Sequence, residues 1–411
     1  MTDYSEFENS ASPFFRFISD NEKVDGNQLL LKYHNKELPF PLDFAITQII
    51  CRRKTLSKLS YFLSFQQFLF PDSISSEQAS DERVAEYHAA LAGSGKIVVD
   101  MTAGLGIDAL SIAMRGNKVT ACDIDANKSE ALRHNAKILN TSNITAINID
   151  STEFLASIDS KVDIIFTDPA RRDANNRRLY SFADCTPDVV KLMPLMLEKA
   201  DRIFIKSSPL LDISQIIKEI PETTYIHIVC VKSECKEVLV EIVKGISFQG
   251  IRIIDLDDSG IISDILFEKE ELAVTDTSIA TSDDLKTGNF LYEPNAGLMK
   301  LRSAGALCSR FAGIKHVATN TSLFISEKFY PDFPGRVLHI EEFPDKTALK
   351  KLKNQRYCVS VRNYPVEAEN LRKKLGVKEG IDKFIYAFRA TAANTNVICI
   401  ASKLNKTERI F

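Results

Sequence analysis

Apolar positions in the first ninety or so residues recur at three- and four-residue intervals, as in the stretch LDFAITQIICRRKTLSKLSYFLSFQQFLF. That period places apolar side chains along one face of an α-helix, so we predict a helical N-terminal region over residues 1–90. After a break at Pro71-Asp72-Ser73, the stretch DERVAEYHAALA predicts one more helix, which ends near Gly93-Ser94-Gly95.

The period changes after these glycines, where short apolar runs alternate with helical segments. We predict strands at KIVVDM, KVTACDID, ITAINID, VDIIFTDP and RIFIKSS. This alternation indicates βαβ crossovers and a parallel sheet that helices cover on both faces. YIHIVCVK and EVLVEIVK predict a closing antiparallel hairpin, and IRIIDL with ISDILF predicts a further strand pair.

Three parts follow from this pattern. The polar stretch TDTSIATSDDLKTGN predicts a linker, so we expect a helical region over 1–90, an α/β domain over 91–270 and an α+β module over 290–411. A chain of 411 residues fits more than one domain, because a single core rarely grows beyond about 300 residues.

Charge is distributed unevenly along the chain. The net charge is -3, but residues 289–411 carry 21 Lys and Arg against 11 Asp and Glu, which is +10, and residues 1–288 carry -13. A basic module on an acidic one favours a polyanionic substrate. The alternative, a merely well-solvated basic surface, stays open.

Several protein classes are excluded by composition. No apolar run approaches the roughly 20 residues that span a bilayer, and the N-terminus, MTDYSEFENS, lacks the basic and apolar regions of a secretory signal. The eight cysteines show no C-x-x-C pair and no zinc spacing, so we expect free thiols in a reducing cytoplasm.

The sharpest motif is VDMTAGLGID, residues 99–108, directly after a predicted strand and before a helix. Glycines there let the backbone approach a ligand closely, so we expect a cofactor at this turn. An ordinary tight turn would show the same glycines, and the context decides between the two.

Acidic residues follow the next two strands. Asp123 lies 23 positions after Asp100, where a carboxylate can accept hydrogen bonds from ribose hydroxyls, although Asp125 competes for that role. Asp150 follows the third strand, where it could accept from an adenine amino group. The ends of parallel strands converge on one rim, so these carboxylates predict one pocket.

Taken together, VDMTAGLGID, ACDID, NID and FTDPAR resemble the successive motifs of class I S-adenosylmethionine (SAM) dependent methyltransferases over about residues 75–245. A NAD dehydrogenase would show a third glycine where this chain has Ala109. The resemblance implies a Rossmann-like seven-stranded fold, with Asp100 and the glycine turn on the methionine part of SAM, Asp123 on its ribose and Asp150 on its adenine. The implied cofactor-binding residues are Asp100, Thr102, Ala103, Gly104, Gly106, Asp123, Ile124, Asp150 and Ser151.

The stretch Thr167–Arg172, TDPARR, resembles the D-P-P-Y/F motif of methyltransferases that act on amino nitrogens. By that resemblance Asp168 orients the acceptor amine, with Pro169 beside it, and no metal is needed. The chain departs from the motif at Arg171, which stands where the family has an aromatic ring. Arg171 and Arg172 could contact substrate phosphates or solvate a loop, and the nearest rings for base stacking are Tyr180 and Phe182.

D-P-A-R also resembles RNA uracil-C5 methyltransferases, which use a cysteine nucleophile just after the fifth strand. This chain has IKSSP at residues 205–209, so that mechanism loses most of its support. Cys230 and Cys235, on the later hairpin, are interpreted as structural.

The C-terminal module resembles the THUMP-like domain of a bacterial group of class I methyltransferases, through YEPNAGLMK, FPGRV and the basic run LRKKLGVKEGIDKF. This resemblance implies RNA binding. We therefore expect a cytoplasmic methyltransferase that modifies a base nitrogen in tRNA or rRNA. The rival hypotheses are a protein or small-molecule acceptor, and a non-catalytic RNA-binding protein that keeps the fold.

Overall fold

The computed structural model of the chain describes residues 4–170, 181–391 and 395–404. Within these residues the chain divides into two compact units. The first comprises residues 1–226, 237–248 and 256–260, and the second comprises 227–236, 249–255 and 261–411. None of the helices described combines the length and apolar character needed to traverse a bilayer.

The chain begins with helices, as its apolar period predicts. Asp72 and Asp81 start two of these helices by accepting hydrogen bonds from first-turn amides that have no partner within the helix. The six α-helices are α1 Pro13–Asp20, α2 Gly26–Tyr33, α3 Leu42–Thr55, α4 Ser60–Leu63, α5 Ser73–Gln78 and α6 Glu82–Ala92, preceded by the 3₁₀ helix Tyr4–Phe7.

Strands and helices then alternate. The strands are β1 Ile97–Asp100, β2 Lys118–Asp123, β3 Ile144–Asn148, β4 Val162–Thr167, β5 Ala200–Ser207, β6 Tyr225–Val231, β7 Glu234–Val243, β8 Gly250–Asp257 and β9 Gly260–Glu268. The helices are α7 Ile107–Met114, α8 Ala126–Ile138, α9 Ser151–Ser157, α10 Val189–Lys199, α11 Ile213–Glu219 and α12 Lys269–Leu272, with the 3₁₀ helices Phe182–Asp184 and Ser282–Asp284.

The first sheet has the strand order β3-β2-β1-β4-β5-β7-β6-β8-β9. Strands β1 to β5 are parallel neighbours, and β7 runs antiparallel to β5. The β8–β9 pair that the sequence predicts follows β1 to β7 along the chain. The apolar core of this sheet includes Val98, Leu110 and Phe166, each at most 2% exposed.

The second unit is α+β. Its sheet has the order β11-β12-β10-β13-β16-β15-β14, and its core includes Leu291, Ile340 and Phe388. The strands are β10 Phe290–Pro294, β11 Lys315–His316, β12 Phe324–Ser326, β13 Gly335–Glu342, β14 Arg356–Arg362, β15 Lys378–Ala390 and β16 Thr395–Lys403. The helices are α13 Ala296–Leu301, α14 Ala304–Arg310, α15 Lys346–Lys351 and α16 Ala368–Leu375. The predicted fold class, with a helical start, a parallel-sheet domain and an α+β module, is confirmed.

Two buried side-chain amides hold the segment between α4 and α5. The side chain of Asn135, on α8, accepts from the Leu69 N–H and donates to the Leu69 carbonyl, both at 2.9 Å. Gln48, on α3, does the same for Phe70, at 2.9 and 2.8 Å. Backbone groups buried away from water need such partners, so these amides anchor the N-terminal helices to the sheet domain within the first unit.

We expect Asn135→Ala to destabilise the first unit by about 3 kcal/mol, because it leaves a buried N–H and a buried carbonyl of Leu69 without partners. Asn127→Ala changes an exposed asparagine on the same helix and should stay within about 0.5 kcal/mol of the parent. Urea denaturation of both variants measures the difference. Equal midpoints would contradict this role of Asn135.

Candidate functional site

The turn between β1 and α7 forms the first wall of the candidate site. Gly104, with φ +56°, and Gly106, with φ +85°, both have left-handed backbone that side-chain-bearing residues resist. A Cβ at Gly106 would meet Leu132 Cδ1 at 2.3 Å, whereas one at Gly104 would meet no atom within 4 Å. Gly106 is therefore required for packing on α8, and Gly104 leaves the backbone of the turn open to the cleft.

Asp100, at the end of β1, lies beneath this turn and is 2% exposed. Its Oδ1 accepts a hydrogen bond from the Thr102 N–H at 3.0 Å. Burial raises the pKa of Asp100 to about 7, and this hydrogen bond only partly offsets the cost of charging the carboxylate. Near neutral pH the group is therefore poised between its two protonation states.

Asp123, at the end of β2, is joined to the glycine turn. Its Oδ2 accepts from the Gly104 N–H at 2.9 Å, and its Oδ1 accepts from the Asp125 N–H at 2.8 Å. The competing Asp125 instead caps α8. Ile124 follows with 75% of its surface exposed and offers an apolar face to the cleft.

Asp150 follows β3 and is exposed. Its side chain caps α9 by accepting from the Thr152 N–H at 2.7 Å. Ser151, the first residue of that helix, is buried. Asp150 thus has a structural task as a cap and still lines the cleft.

The predicted cofactor-binding residues and both predicted catalytic residues line a single cleft of about 970 Å³. The structure brings together Asp100, Thr102, Ala103, Gly104, Gly106, Asp123, Ile124, Asp150, Ser151, Asp168 and Pro169. Parallel strand ends place them on one edge of the sheet.

Asp168 connects the loop after β4 to the glycine turn. Its backbone N–H donates to Thr102 Oγ1 at 2.6 Å, so the loop after β4 is bonded directly to the glycine turn. Its side chain is 35% exposed, and its Oδ2 lies 3.1 Å from Lys206 Nζ. Pro169 beside it is buried.

The other predicted substrate residues are less informative. Phe182 lines the cleft, but its side chain is buried and its N–H donates to Glu219 Oε2 at 2.7 Å. Arg171, Arg172 and Tyr180 lie outside the described residues.

Sequence reasoning missed a set of buried charged residues behind Asp168. Lys206, at the end of β5, is 7% exposed at its side chain and lies near Asp108, Asp168 and Glu237. Burial disfavours its charge, but these three carboxylates raise the pKa of Lys206 well above its ordinary value. Within the glycine-rich motif, Asp108 gave no sign of a role of its own, and Glu237 lies far from it in the sequence. No local sequence pattern therefore identifies these residues as a set.

His88, on α6, belongs to the same set. Its Nδ1 lies 2.7 Å from Asp108 and its Nε2 lies 2.6 Å from Glu237. Burial opposes protonation, but the Glu237 carboxylate and the hydrogen bonds with both acids raise the pKa of His88 to about 9. The imidazole is therefore charged at neutral pH, and it donates from both nitrogens.

One thiol also lines the cleft. Cys185 is buried, and its Sγ donates to the Ser181 carbonyl at 3.4 Å. Sequence reasoning looked for a cysteine only directly after β5, so it passed over this residue, which reaches the cleft from the segment before α10.

Family models match three stretches of the chain. Residues 71–174 match the TRM5/TYW2 methyltransferase domain. Residues 290–334 match a ferredoxin-like domain, and residues 335–403 match a THUMP domain-like family. The first stretch contains all four carboxylates that follow strands β1 to β4 and line the cleft.

The curated relatives are ribosomal RNA small subunit methyltransferases J from Francisella tularensis, among them subsp. holarctica strain FTNF002-00 / FTA and subsp. tularensis strain SCHU S4 / Schu 4. Each is 27% identical over 157 residues, which covers 36% of this chain and 54% of the relative. The chain thus spans about half the length of the curated relatives it matches.

A solved structure extends the comparison to nearly the whole chain. The crystal structure of a candidate methyltransferase from Porphyromonas gingivalis W83 is 25% identical, with a TM-score of 0.82, and the match covers 98% of this chain and 100% of that one. The resemblance to class I SAM-dependent methyltransferases with a THUMP-like domain is confirmed, together with the methyltransferase fold.

The raised pKa of Asp100 predicts a pH-dependent stability. The folded-state pKa of about 7 exceeds the ordinary 3.8, so the stabilising contribution of the protonated group is complete below about pH 4 and is lost as the pH rises through 7. Asp100→Asn mimics the protonated form. We expect its stability relative to the parent to increase by about 2 kcal/mol or more between about pH 5.5 and 8.5.

Denaturation midpoints measured across that pH range test this expectation. Asp150→Asn, a change at the exposed cap of α9, is the matched control and should show no comparable trend. A difference between Asp100→Asn and the parent that stays constant with pH would contradict the perturbed titration of Asp100.

Proposed function

We propose that this chain, which carries a class I SAM-dependent methyltransferase domain followed by a THUMP-like domain, methylates an amino nitrogen of a base in structured RNA. The acceptor is a tRNA or an rRNA, and the products are the methylated base and S-adenosylhomocysteine. The name of the Francisella relatives specifies ribosomal RNA, which favours an rRNA acceptor. We place the reaction in the cytoplasm, where such RNAs are modified.

The observation that carries this proposal is the position of Asp168 beside the glycine turn. The hydrogen bond from its N–H to Thr102 Oγ1 joins the loop after β4 to the glycine turn, and Asp168 lines the same cleft as that turn. A carboxylate accepts hydrogen bonds but donates none when ionised. It is therefore suited to an acceptor group that carries N–H bonds, such as the exocyclic amine of a base.

The cleft also fits SAM. The open backbone at Gly104 allows close approach, and the carboxylates of Asp100 and Asp123 complement a ligand with a sulfonium and an ammonium group. Asp100 would face the methionine part, Asp123 the ribose and Asp150 the adenine amino group, with Ile124 against the adenine ring. When bound, SAM supplies a methyl group on a strongly electrophilic sulfur.

The side chains of the protein then need form no covalent bond with the substrate. Asp168 would accept a hydrogen bond from the acceptor N–H and, with the adjacent backbone, would aim the nitrogen lone pair at the methyl group. Alignment of this kind lowers the barrier by removing the entropic cost of the encounter. Exclusion of water from the cleft strengthens the alignment. The N–C bond forms as the S–C bond breaks, which leaves neutral S-adenosylhomocysteine, and the positively charged nitrogen then releases one proton to solvent.

An RNA acceptor is supported by a basic surface in the THUMP-like region. Residues 346–378 carry ten Lys and Arg against two Glu. Arg356 and Lys378 are register partners at the starts of β14 and β15, and Lys353 lies against Gly376 next to them. All three basic side chains are exposed, as are Lys350, Lys351, Lys373 and Lys374 at the ends of α15 and α16. Clusters of this kind bind phosphates.

The function is tested by nucleoside mass spectrometry on RNA from cells that lack the gene, rescued with the parent chain or with Asp168→Ala. We expect one methylated nucleoside to disappear with the gene and to return with the parent. The Asp168→Ala variant should restore less than about 1% of it, since orientation of the amine is lost. Asp201→Ala, an exposed change on β5, is the control and should restore the nucleoside fully.

An unchanged nucleoside profile in cells that lack the gene would refute RNA modification. Cys185→Ser addresses the uracil-C5 alternative in the same assay. If this variant loses a 5-methylpyrimidine, the reaction is C5 methylation through a covalent adduct with Cys185, and amine methylation is refuted.

The basic surface is tested by salt-dependent RNA binding. We expect the triple variant Lys353→Glu, Arg356→Glu and Lys378→Glu to bind RNA more weakly, with the slope of log K against log salt smaller by about 2 to 3, because phosphate contacts are lost. Electrophoretic mobility shifts with total RNA at several salt concentrations measure it.

The matched control reverses Lys96, Lys118 and Lys161, which lie at the starts of β1, β2 and β4 on the sheet edge opposite the cleft. This variant should keep the parental slope. Equal slopes for both triple variants would show that net charge, and not the surface around Lys353, controls binding.

A further inference from the structure

A closed ring of ionic contacts lies at the wall of the cleft, which two of its members, Asp108 and Lys206, line. Asp108 bridges two cations, with Oδ1 at 2.7 Å from His88 and Oδ2 at 3.2 Å from Lys206. Glu237 bridges the same two cations, with Oε1 at 2.6 Å from His88 and Oε2 at 3.5 Å from Lys206. Two positive and two negative side chains thus alternate around one circuit.

The ring is built from distant parts of the first unit. His88 lies on α6, Asp108 on α7, Lys206 on β5 and Glu237 on β7. The side chains of all four are at most 12% exposed. Buried ion pairs rarely add stability over apolar packing, because desolvation offsets most of their attraction. Stability alone therefore does not account for this arrangement.

Asp168 is attached to the ring from the cleft side. Lys206 Nζ lies 3.1 Å from Asp168 Oδ2 and also donates to Ser80 Oγ at 2.7 Å. Asp168 is the third carboxylate that contacts Lys206, and it lines the cleft. Its second oxygen, Oδ1, has no hydrogen-bond partner among the residues that the structure describes.

We propose that Lys206 is the positioning residue of the methyl-transfer site: it holds Asp168 through Oδ2, so that Oδ1 faces the acceptor amine. The inference rests on the proposed function. The ring fixes the position of Lys206, because Asp108 and Glu237 both form ion pairs with its ammonium, and His88 forms ion pairs with both of these carboxylates. In this proposal Lys206, which also lines the cleft, acts on the acceptor through Asp168.

A purely structural role makes a different prediction, and the chain offers a matched control. Arg202 lies four residues earlier on β5, about 13 Å away along the strand, and its Nε donates to Glu241 on β7 at 2.8 Å. It joins the same two strands as Lys206 and Glu237, but away from the cleft. Arg202→Gln therefore removes an ion pair between these strands without disturbing Asp168.

The test compares turnover on RNA for Lys206→Gln, Asp168→Asn and the double variant. We expect Lys206→Gln to lower kcat by about 100-fold with the KM for SAM changed less than about 3-fold, because only the acceptor is misplaced. In the Asp168→Asn background the same change should cost less than about 2-fold, since the two residues act as one unit. Arg202→Gln should keep kcat within about 2-fold.

Rescue by a conservative change adds a readout that a structural role would not move. Lys206→Arg keeps a positive charge beside Asp168 Oδ2 and should recover part of kcat, whereas Lys206→Gln should not. If Lys206→Gln fails to fold, Lys206→Gln with Glu237→Gln removes one charge of each sign and takes its place.

The outcomes separate the two proposals. If the parent methylates RNA but the Lys206 and Asp168 effects multiply, or kcat of Lys206→Gln is unchanged, the positioning role is overturned and the function stands. If the parent methylates no RNA, the function fails, and a crystal structure of Lys206→Gln decides the positioning role. Asp168 in several orientations supports it, and Asp168 unchanged in one orientation overturns it.

Discussion

The parallel pairing of β1 with β2 and β4 is the constraint on which the candidate site depends. Asp100 is opposite Ala121 and Phe166 in that register, so all three strands end at nearly the same level. Loops that leave parallel strands at one level have to share one edge of the sheet. Asp100, Asp123 and Asp168 meet in one cleft for this reason, although 23 and 45 positions separate them in turn along the chain.

Within that cleft, hydrogen bonds between the loops fix the positions of these residues relative to one another. Asp123 accepts a hydrogen bond from Gly104, and Thr102 accepts one from the backbone of Asp168, so the glycine turn and the loop after β4 form one connected structure. The turn also requires glycine, since Gly104 and Gly106 have a positive φ that would be strained in other residues. A site of this kind can position a reaction without contributing a nucleophile or a base.

Charge is divided between the two units in a way that suits their proposed tasks. The first unit brings carboxylates to its cleft and balances the buried ones with Lys206 and His88. The THUMP-like region instead has exposed lysines and arginines at the ends of short helices and strands. A cationic cofactor and an anionic acceptor can thus be recognised by separate surfaces.

The sequence by itself determined the order of strands and helices, the glycine turn and the carboxylates that follow β1 to β4, because periodicity and turn chemistry are local. Its motifs, among them VDMTAGLGID and FTDPAR, also indicated the resemblance to methyltransferases. Only the tertiary structure joined His88, Asp108, Lys206 and Glu237, and it brought Cys185 to the cleft. Nothing local marks a buried histidine as the partner of a glutamate 149 positions away, since that pairing depends on how β7 packs beside β5.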